Sequence, residues 1–258
     1  MLLHIGAFHL DIDSQQQTPW HRLAAQTRIL CVLLLLLATV LTPNGQWLTW
    51  CVYGTGILGM LLVSRVTLSV LCKRVAVESA FVSVVLLGTL FRAGGDVLWQ
   101  WGWLQIGTTG LTILGSVSFK ALLSLLLLNV LTLTTSVSML LYGLAVLRTP
   151  PLLIAILASM YRYLGVLIEE FDAMRRAAIS RNLMGSSHWQ RLVLGNTIGA
   201  LFIRTYERGD RIHQAMLSRG YQGLPPVAET IRLERRDIAA LTLTLVFVLL
   251  GQFINLLR

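Results

Sequence analysis

The sequence predicts an all-α, polytopic membrane protein: about five transmembrane helices plus long cytoplasmic helices. Three observations carry this. Hydrophobic residues make up 55% of the 258-residue chain and charged residues 13%, with a mean hydropathy of +0.70, more apolar than a soluble core requires. The charge is segregated, because residues 161–236 hold twelve Arg and seven acidic residues whereas residues 1–160 hold eight Lys or Arg and four acids. A basic segment on a membrane protein marks the cytoplasmic side. Finally, one stretch of the charged part occurs twice at a constant offset of 38 residues.

Residues 1–134 read as a leader followed by four spans. The leader, 1–17, is not a cleavable signal, since Asp11, Asp13 and a Gln run stand where a basic n-region and apolar stretch belong. Thr18-Pro19 opens a helix, with Thr as N-cap and Pro at the first helical position. The apolar run 29–42 is short for a bilayer core of ~30 Å but suffices with a tilt and residues 23–26. After the turn Pro43-Asn44-Gly45 the second span is 47–63. Trp47 and Trp50 suit the interface, and Gly54, Gly56 and Gly59 permit close helix approach. Arg65, Lys73 and Arg74 place the next loop, and so the N-terminus, in the cytoplasm.

The third span is 76–91, with Glu78 near its inner end within reach of water or Arg74. Residues 92–96 form the outer turn, beside a girdle of Trp99, Trp101 and Trp103. The fourth span lies within 106–134, its start blurred by Gly107, Gly110 and Gly115. Lys120 is its one charge; it serves a functional site or is tethered to a carbonyl or to Glu78. Cys31, Cys51 and Cys72 lie in or beside apolar segments without metal-ligand spacing and read as buried thiols.

Residues 135–223 form a cytoplasmic coupling region. Thr134-Thr135-Ser136 caps a short helix over 137–147, and Pro150-Pro151 breaks the chain and restarts it. A helix from Pro151 to Arg181 is about 45 Å long at 1.5 Å per residue. Its first half is apolar, its second amphipathic. A turn over 182–187 leads to a second long helix from His188 to Arg219 of the same design. Both are expected under and against the bilayer rather than across it. The rival topology counts each as a span, and labelling at His188 separates the two. Residues 224–258 are a linker with Pro225-Pro226 and a final span, 238–257, whose inner mouth carries Arg232, Arg235 and Arg236.

In the repeat, Glu169 meets Glu207, Asp172 meets Asp210, Ala177 meets Ala215, Ser180-Arg181 meets Ser218-Arg219, and Gly185 meets Gly223. Each copy reads as the end of a helix. Asn182 and Gly220 follow the Arg, and both residue types accept the left-handed conformation that stops a helix. Each Arg faces the carbonyl end of its own helix and can also reach another protein's carboxylates. A single tip of this kind is an ordinary C-cap. Two with matched flanks suggest a partner with two equivalent docking sites.

Several functions are excluded by what the motifs lack. The sequence holds no GxxxxGK[ST] loop, GxSxG or HExxH, and no paired-carboxylate site in its apolar part. Aromatic residues are not interleaved with the Arg, which argues against nucleic acid as partner. The scattered His residues, His188 and His213 among them, suggest no metal site. No catalytic residue, cofactor or metal is therefore expected, and motion must come from an external motor.

These residues resemble a known family, the T component of energy-coupling factor (ECF) transporters, most closely its cobalt/nickel CbiQ-type branch. The tips Ala177-Ala178-Ile179-Ser180-Arg181-Asn182 and Ala215-Met216-Leu217-Ser218-Arg219-Gly220 resemble its paired Ala-Arg-Gly signatures. Pro19-Trp20-His21-Arg22-Leu23 with Thr27-Arg28, Leu131-Thr132-Leu133-Thr134-Thr135-Ser136, and Tyr161-Arg162-Tyr163 with Glu169-Glu170 and Arg175-Arg176 are similar to further elements of that family, in its order. Both tips carry Ser where Ala is favoured, and Asn182 stands where Gly is usual.

The resemblance implies a complex in the bacterial inner membrane, with the N-terminus and coupling helices cytoplasmic. Two ATP-binding ABC ATPase subunits would dock Ser180, Arg181 and Asn182 at one tip and Ser218, Arg219 and Gly220 at the other. Arg162, Glu169, Glu170, Asp172, Glu207 and Asp210 would support the coupling helices. A separate membrane subunit would carry the cargo, cobalt or nickel on an M-type subunit or a vitamin on an S-type subunit. The alternatives from other classes are a self-contained seven-span transporter or channel using Lys120 and Glu78, and a scaffold for an unrelated acidic partner.

Overall fold

The computed structural model describes residues 18–90, 97–101, 104–183, 187–221 and 234–256. The chain forms two units, Met1–Gly143 with Thr230–Arg258, and Leu144–Glu229. The expected leader, the outer turn 92–96, Trp103, Gly185, Gly223, Pro225-Pro226 and Arg232 lie outside the described residues.

The first unit contains α1 (Ala25–Leu41), α2 (Trp47–Ser64), α3 (Leu68–Leu90), a hairpin of β1 (Val97–Trp101) and β2 (Leu104–Gly107), α4 (Thr108–Thr134) and α8 (Arg235–Leu256), with the start of α5 (Val137–Val146). Its core is a set of helical stripes. Cys31, Val32, Leu35 and Ala38 of α1 meet Trp50, Tyr53 and Ile57 of α2 and Leu123 and Leu127 of α4, and Leu241 and Phe247 of α8 close the side. The spacing of three and four residues puts each set on one helix face.

α1 and α8 run parallel. Asp237 Oδ1 accepts from the Ala24 N–H at 2.9 Å, Thr244 Oγ1 lies 3.6 Å from Cys31 Sγ, and Gln252 Nε2 donates to the Ala38 carbonyl at 3.4 Å. On the outside, Val77, Phe81 and Val84 of α3 and Leu243 and Phe253 of α8 are exposed apolar side chains, as a lipid-facing surface requires.

Several expectations are corrected here. The chain does not enter a helix at Thr18-Pro19. Residues 18–23 are turns and α1 starts at Ala25, because the Thr18 hydroxyl engages His21 Nδ1 at 2.6 Å and Trp20 is drawn into the core. Trp50, expected to suit the interface, is fully buried against protein, edge-on to Trp47 at 5.4 Å and near Phe119. Cys31 is buried, but Cys51 and Cys72 are exposed, since an apolar neighbourhood in a membrane helix includes the face turned to lipid. The stretch read as an aromatic girdle forms an antiparallel hairpin, with Trp99 opposite Ile106 and Trp101 opposite Leu104. Trp at every second position is a strand period.

Lys120 is tethered to a carbonyl, as one of the expectations had it, and the carbonyl is that of a side-chain amide. It donates to Asn44 Oδ1 at 3.1 Å and lies 5.7 Å from the Trp50 ring centroid. Glu78 instead accepts from Asn129 Nδ2 at 2.6 Å. α3 begins eight residues before the expected 76.

Among the described residues, α2, α4, α6 (Pro151–Ser180) and α8 are long and apolar enough to cross a membrane. α1 falls short of that set at 17 residues. α3 falls outside it because any stretch of it long enough to cross holds Lys73, Arg74 and Glu78. α6, expected against the bilayer, lies within the set because Arg162 is the one charge before Glu169.

The second unit holds α6 and α7 (Ser187–Ser218), with the end of α5. α6 starts as expected, with Pro150 at the N-cap and Pro151 at the first helical position. α5 starts from Ser136, whose Oγ accepts from the Met139 N–H at 3.4 Å.

Candidate functional site

The two tips have the same backbone. α6 ends at Ser180, Arg181 is its C-cap, and Asn182 takes a left-handed φ of 54°. The Asn182 N–H then donates to the Ile179 carbonyl at 2.9 Å and the Leu183 N–H to Ala178 at 3.1 Å. α7 ends at Ser218, and Gly220 takes φ 82°. The Gly220 N–H donates to Leu217 at 3.0 Å and Tyr221 to Met216 at 3.0 Å. Both are Schellman closures, in which the residue after the cap reverses hand and two orphan carbonyls are satisfied. The side chains match as well. Ser180 Oγ donates to Ala177 and Ser218 Oγ to Ala215, both at 2.9 Å. Arg181 and Arg219 are exposed, and among the described residues neither guanidinium is paired. A third closure of this type ends α5, where Arg148 takes φ 62° without a Gly or Asn at the reversed position.

α6 and α7 lie antiparallel. Glu170 pairs with Arg204 at 3.6 Å and Arg208 at 3.4 Å. Tyr163 and Leu167 share a small cavity with Arg208 and Ile212, and Ser159 and Arg162 share another with Met216 and Arg219. The tips therefore lie at opposite ends of the pair. Eleven residues separate Glu170 from Arg181 and eleven separate Arg208 from Arg219, so the tips stand roughly 30 Å apart along it at 1.5 Å per residue.

Of the expected supporting residues, Glu170 ties α6 to α7 through its ion pairs with Arg204 and Arg208. Asp172 is buried and Glu169 exposed. Glu207 pairs within its own helix with Arg211 at 3.9 Å, and Asp210 accepts from Gln214 at 2.8 Å. Arg162 is exposed and packs on Tyr163, its guanidinium 5.2 Å from the ring centroid. Sequence reasoning missed Arg204 and Arg208. Their spacing of four, one turn of one face, was the available signal.

In the first unit, two of the motifs that carry the resemblance meet. Arg28 is 3% exposed. Its Nη1 donates to the Thr134 carbonyl at 3.0 Å and to Thr135 Oγ1 at 3.3 Å, its Nε to the Leu23 carbonyl at 3.1 Å, and its Nη2 to the His21 carbonyl. Trp20 Nε1 donates to Thr134 Oγ1 at 3.0 Å. A buried cation at the carbonyl end of α4 complements that end's partial negative charge.

The family model for CbiQ, described as cobalt transport protein, matches residues 16–230. The chain belongs to the CbiQ cobalt transport family. Curated relatives agree. A fused cobalt transport protein, CbiMQ, of Methanocorpusculum labreanum is 28% identical over 260 residues, covering 96% of this chain and 42% of the relative. The EcfT transmembrane protein of Lacticaseibacillus paracasei is 27% identical over 234 residues, covering 85% and 88%, and that of Bacillus subtilis 26% over 215, covering 79% and 80%. The chain thus spans less than half of the fused relative and most of the two EcfT proteins. It is a CbiQ-family membrane component of the ECF transporter type.

Proposed function

We propose that this CbiQ-family chain is the coupling subunit of an ECF-type ABC importer, carrying the motion of two ATPase subunits to a separate substrate-binding membrane subunit. The twin tips are the observation that carries this. Two closures of the same hydrogen-bond pattern present Arg181 and Arg219, neither paired among the described residues, at opposite ends of one helix pair. This suits two copies of one acidic groove. Ser180 and Asn182, and Ser218 and Gly220, shape the backbone around each Arg.

Insertion of a guanidinium into a groove carboxylate makes a charge-assisted, geometrically exacting pair. Closure of the ATPases on ATP then displaces the tips relative to each other. α6 and α7, locked at Glu170, convey that displacement to the apolar faces that hold the substrate subunit. The unit's exposed apolar side chains, Ile156 and Met160 on α6 and Phe202 and Ile203 on α7, support such a partner. Arg162 lies beside Arg219 and belongs to the same docking region.

This chain performs no catalysis in this reading; ATP is hydrolysed on the partners. Its place is the bacterial inner membrane, with the N-terminus and both tips cytoplasmic. The names of the family and of the fused relative favour cobalt as cargo, with nickel next; the EcfT relatives leave a vitamin as the alternative. The test is co-purification and cobalt uptake with the Arg181→Ala, Arg219→Ala double variant. Loss of both is expected. Full uptake by the variant, or accumulation of cobalt by vesicles bearing this chain alone, overturns the reading.

A further inference from the structure

A cavity of the first unit takes no part in the docking of the tips. It has a volume of 710 Å³ and lies along α1, α2 and α8. Leu35, Gly59, Met60, Val63, Leu243 and Phe247 line its length, and Arg22 and Arg236 also line it. These two cations belong to one end of the parallel pair. Arg22 precedes α1, Arg236 is in the first turn of α8, and Ala24 and Asp237 bond the two helix starts together at 2.9 Å. Both guanidiniums are exposed, and among the described residues neither pairs with a carboxylate. The nearby carboxylate of Asp237 is buried and turned to the backbone N–H groups of Ala24 and Glu234. An apolar trough of single-chain scale ending in two free cations is complementary to an acyl chain ending in an anionic headgroup.

We propose that this cavity is a binding site for one anionic phospholipid, its phosphate held by Arg22 and Arg236 and one acyl chain laid along α1, α2 and α8. The trough is open at Gly59, where an added Cβ meets no heavy atom within 4 Å, so a side chain there has room to project into it. Neighbouring Gly56, by contrast, is already closed by Phe247. A zwitterionic lipid gains less, since its headgroup amine repels the same arginines. At roughly fivefold per arginine near an anionic headgroup, the expected preference for anionic lipid is about thirtyfold.

The full chain, purified in detergent and equilibrated with an equal mixture of phosphatidylglycerol and phosphatidylcholine, is examined by native mass spectrometry. One retained phosphatidylglycerol is expected, with the preference falling to near parity in Arg22→Gln, Arg236→Gln and retention lost in Gly59→Leu. Equal retention of the two lipids by the unaltered chain, or unchanged retention by Gly59→Leu, overturns the site. A second readout does not depend on the Gly59→Leu fold. Trp20 lines the cavity, so its fluorescence, taken as the difference between the chain and Trp20→Phe, is quenched in phosphatidylcholine vesicles containing brominated phosphatidylglycerol. It is quenched less by brominated phosphatidylcholine. No such difference, or displacement of the lipid by a helix of the substrate-binding subunit cross-linked at position 59, refutes the proposal.

Discussion

The Arg28 guanidinium donates to the Thr134 carbonyl at 3.0 Å across 106 residues of sequence. It thereby closes the C-terminal end of α4 with a side chain from α1. Its other donors reach Thr135, Leu23 and His21, so one buried cation joins the entry turn, α1 and the α4–α5 junction. Truncating it strands several buried carbonyls. Arg28→Ala is expected to cost about 3 kcal/mol, as loss of hydrogen bonds to a buried charge does. Arg28→Lys should recover less than half, since an ammonium cannot fork to several carbonyls. Thermal unfolding in detergent measures both; a loss under about 1 kcal/mol for Arg28→Ala contradicts this role.

The two tips share a backbone but not a residue at the reversed position, and this gives opposite expectations for substitution. Gly220 at φ 82° has open space around it, so the cost of Gly220→Ala is conformational, about 1 kcal/mol. Gly220→Asn should restore most of it. Asn182→Gly should gain a few tenths of a kcal/mol, because Asn tolerates the left-handed region less well than Gly. Amide exchange reports the closure directly. The Tyr221 N–H, bonded to Met216, should exchange roughly fivefold faster in Gly220→Ala. An unchanged rate contradicts the assigned closure.

Much of this was legible in the sequence, and the misses share a cause. Periodicity and caps located the long helices, Pro151 at the start of α6 and the hand reversal at Asn182 and Gly220, because those are local backbone choices. Trp50, Cys51 and Cys72 were assigned to the wrong surroundings because hydropathy cannot tell a helix face buried in protein from one turned to lipid. Lys120 with Asn44 and Arg28 with Thr134 are tertiary pairs, and no spacing in a single chain encodes them. The hairpin is legible in its alternating Trp, although the same residues also fit an interfacial girdle, whose chemistry carries no period.

Glu170 bridges Arg204 and Arg208, both substantially exposed, at 62% and 40%. Screening limits what these pairs contribute, so a Glu170→Gln and Arg208→Gln double-mutant cycle should give about 0.5–1 kcal/mol. The coupling should shrink further as salt is raised. Its larger effect is expected in transport, where a looser crossing transmits less of the tip motion: ATP hydrolysis should persist in Glu170→Gln while uptake per ATP falls. Equal losses in both contradict a transmitting role.

Gly143 of α5 lies against α1, where an added Cβ would sit 3.1 Å from the Ala25 carbonyl carbon and the Gln26 nitrogen and 2.8 Å from Ile29 Cδ1. Backbone cannot move aside as a flexible side chain can. Gly143→Ala should therefore cost about 1–3 kcal/mol, whereas Gly59→Ala, in open space, should be close to neutral. Comparable unfolding midpoints for the two variants contradict the packing.

The sidedness of the tips decides between coupling and a seven-span topology. α6 is apolar enough to cross a membrane. If α6 and α7 both crossed, Asn182 and Ser218 would face opposite sides. In the coupling reading both face the cytoplasm, since each tip must meet an ATPase. Cys51 and Cys72 are exposed and are first replaced by Ser. Asn182→Cys and Ser218→Cys are then introduced separately and treated with a membrane-impermeant maleimide. In inside-out vesicles both should label and in right-side-out vesicles neither should. Labelling of the two positions from opposite faces removes the possibility of twin docking, because a tip outside the cell has no ATP-driven partner to meet.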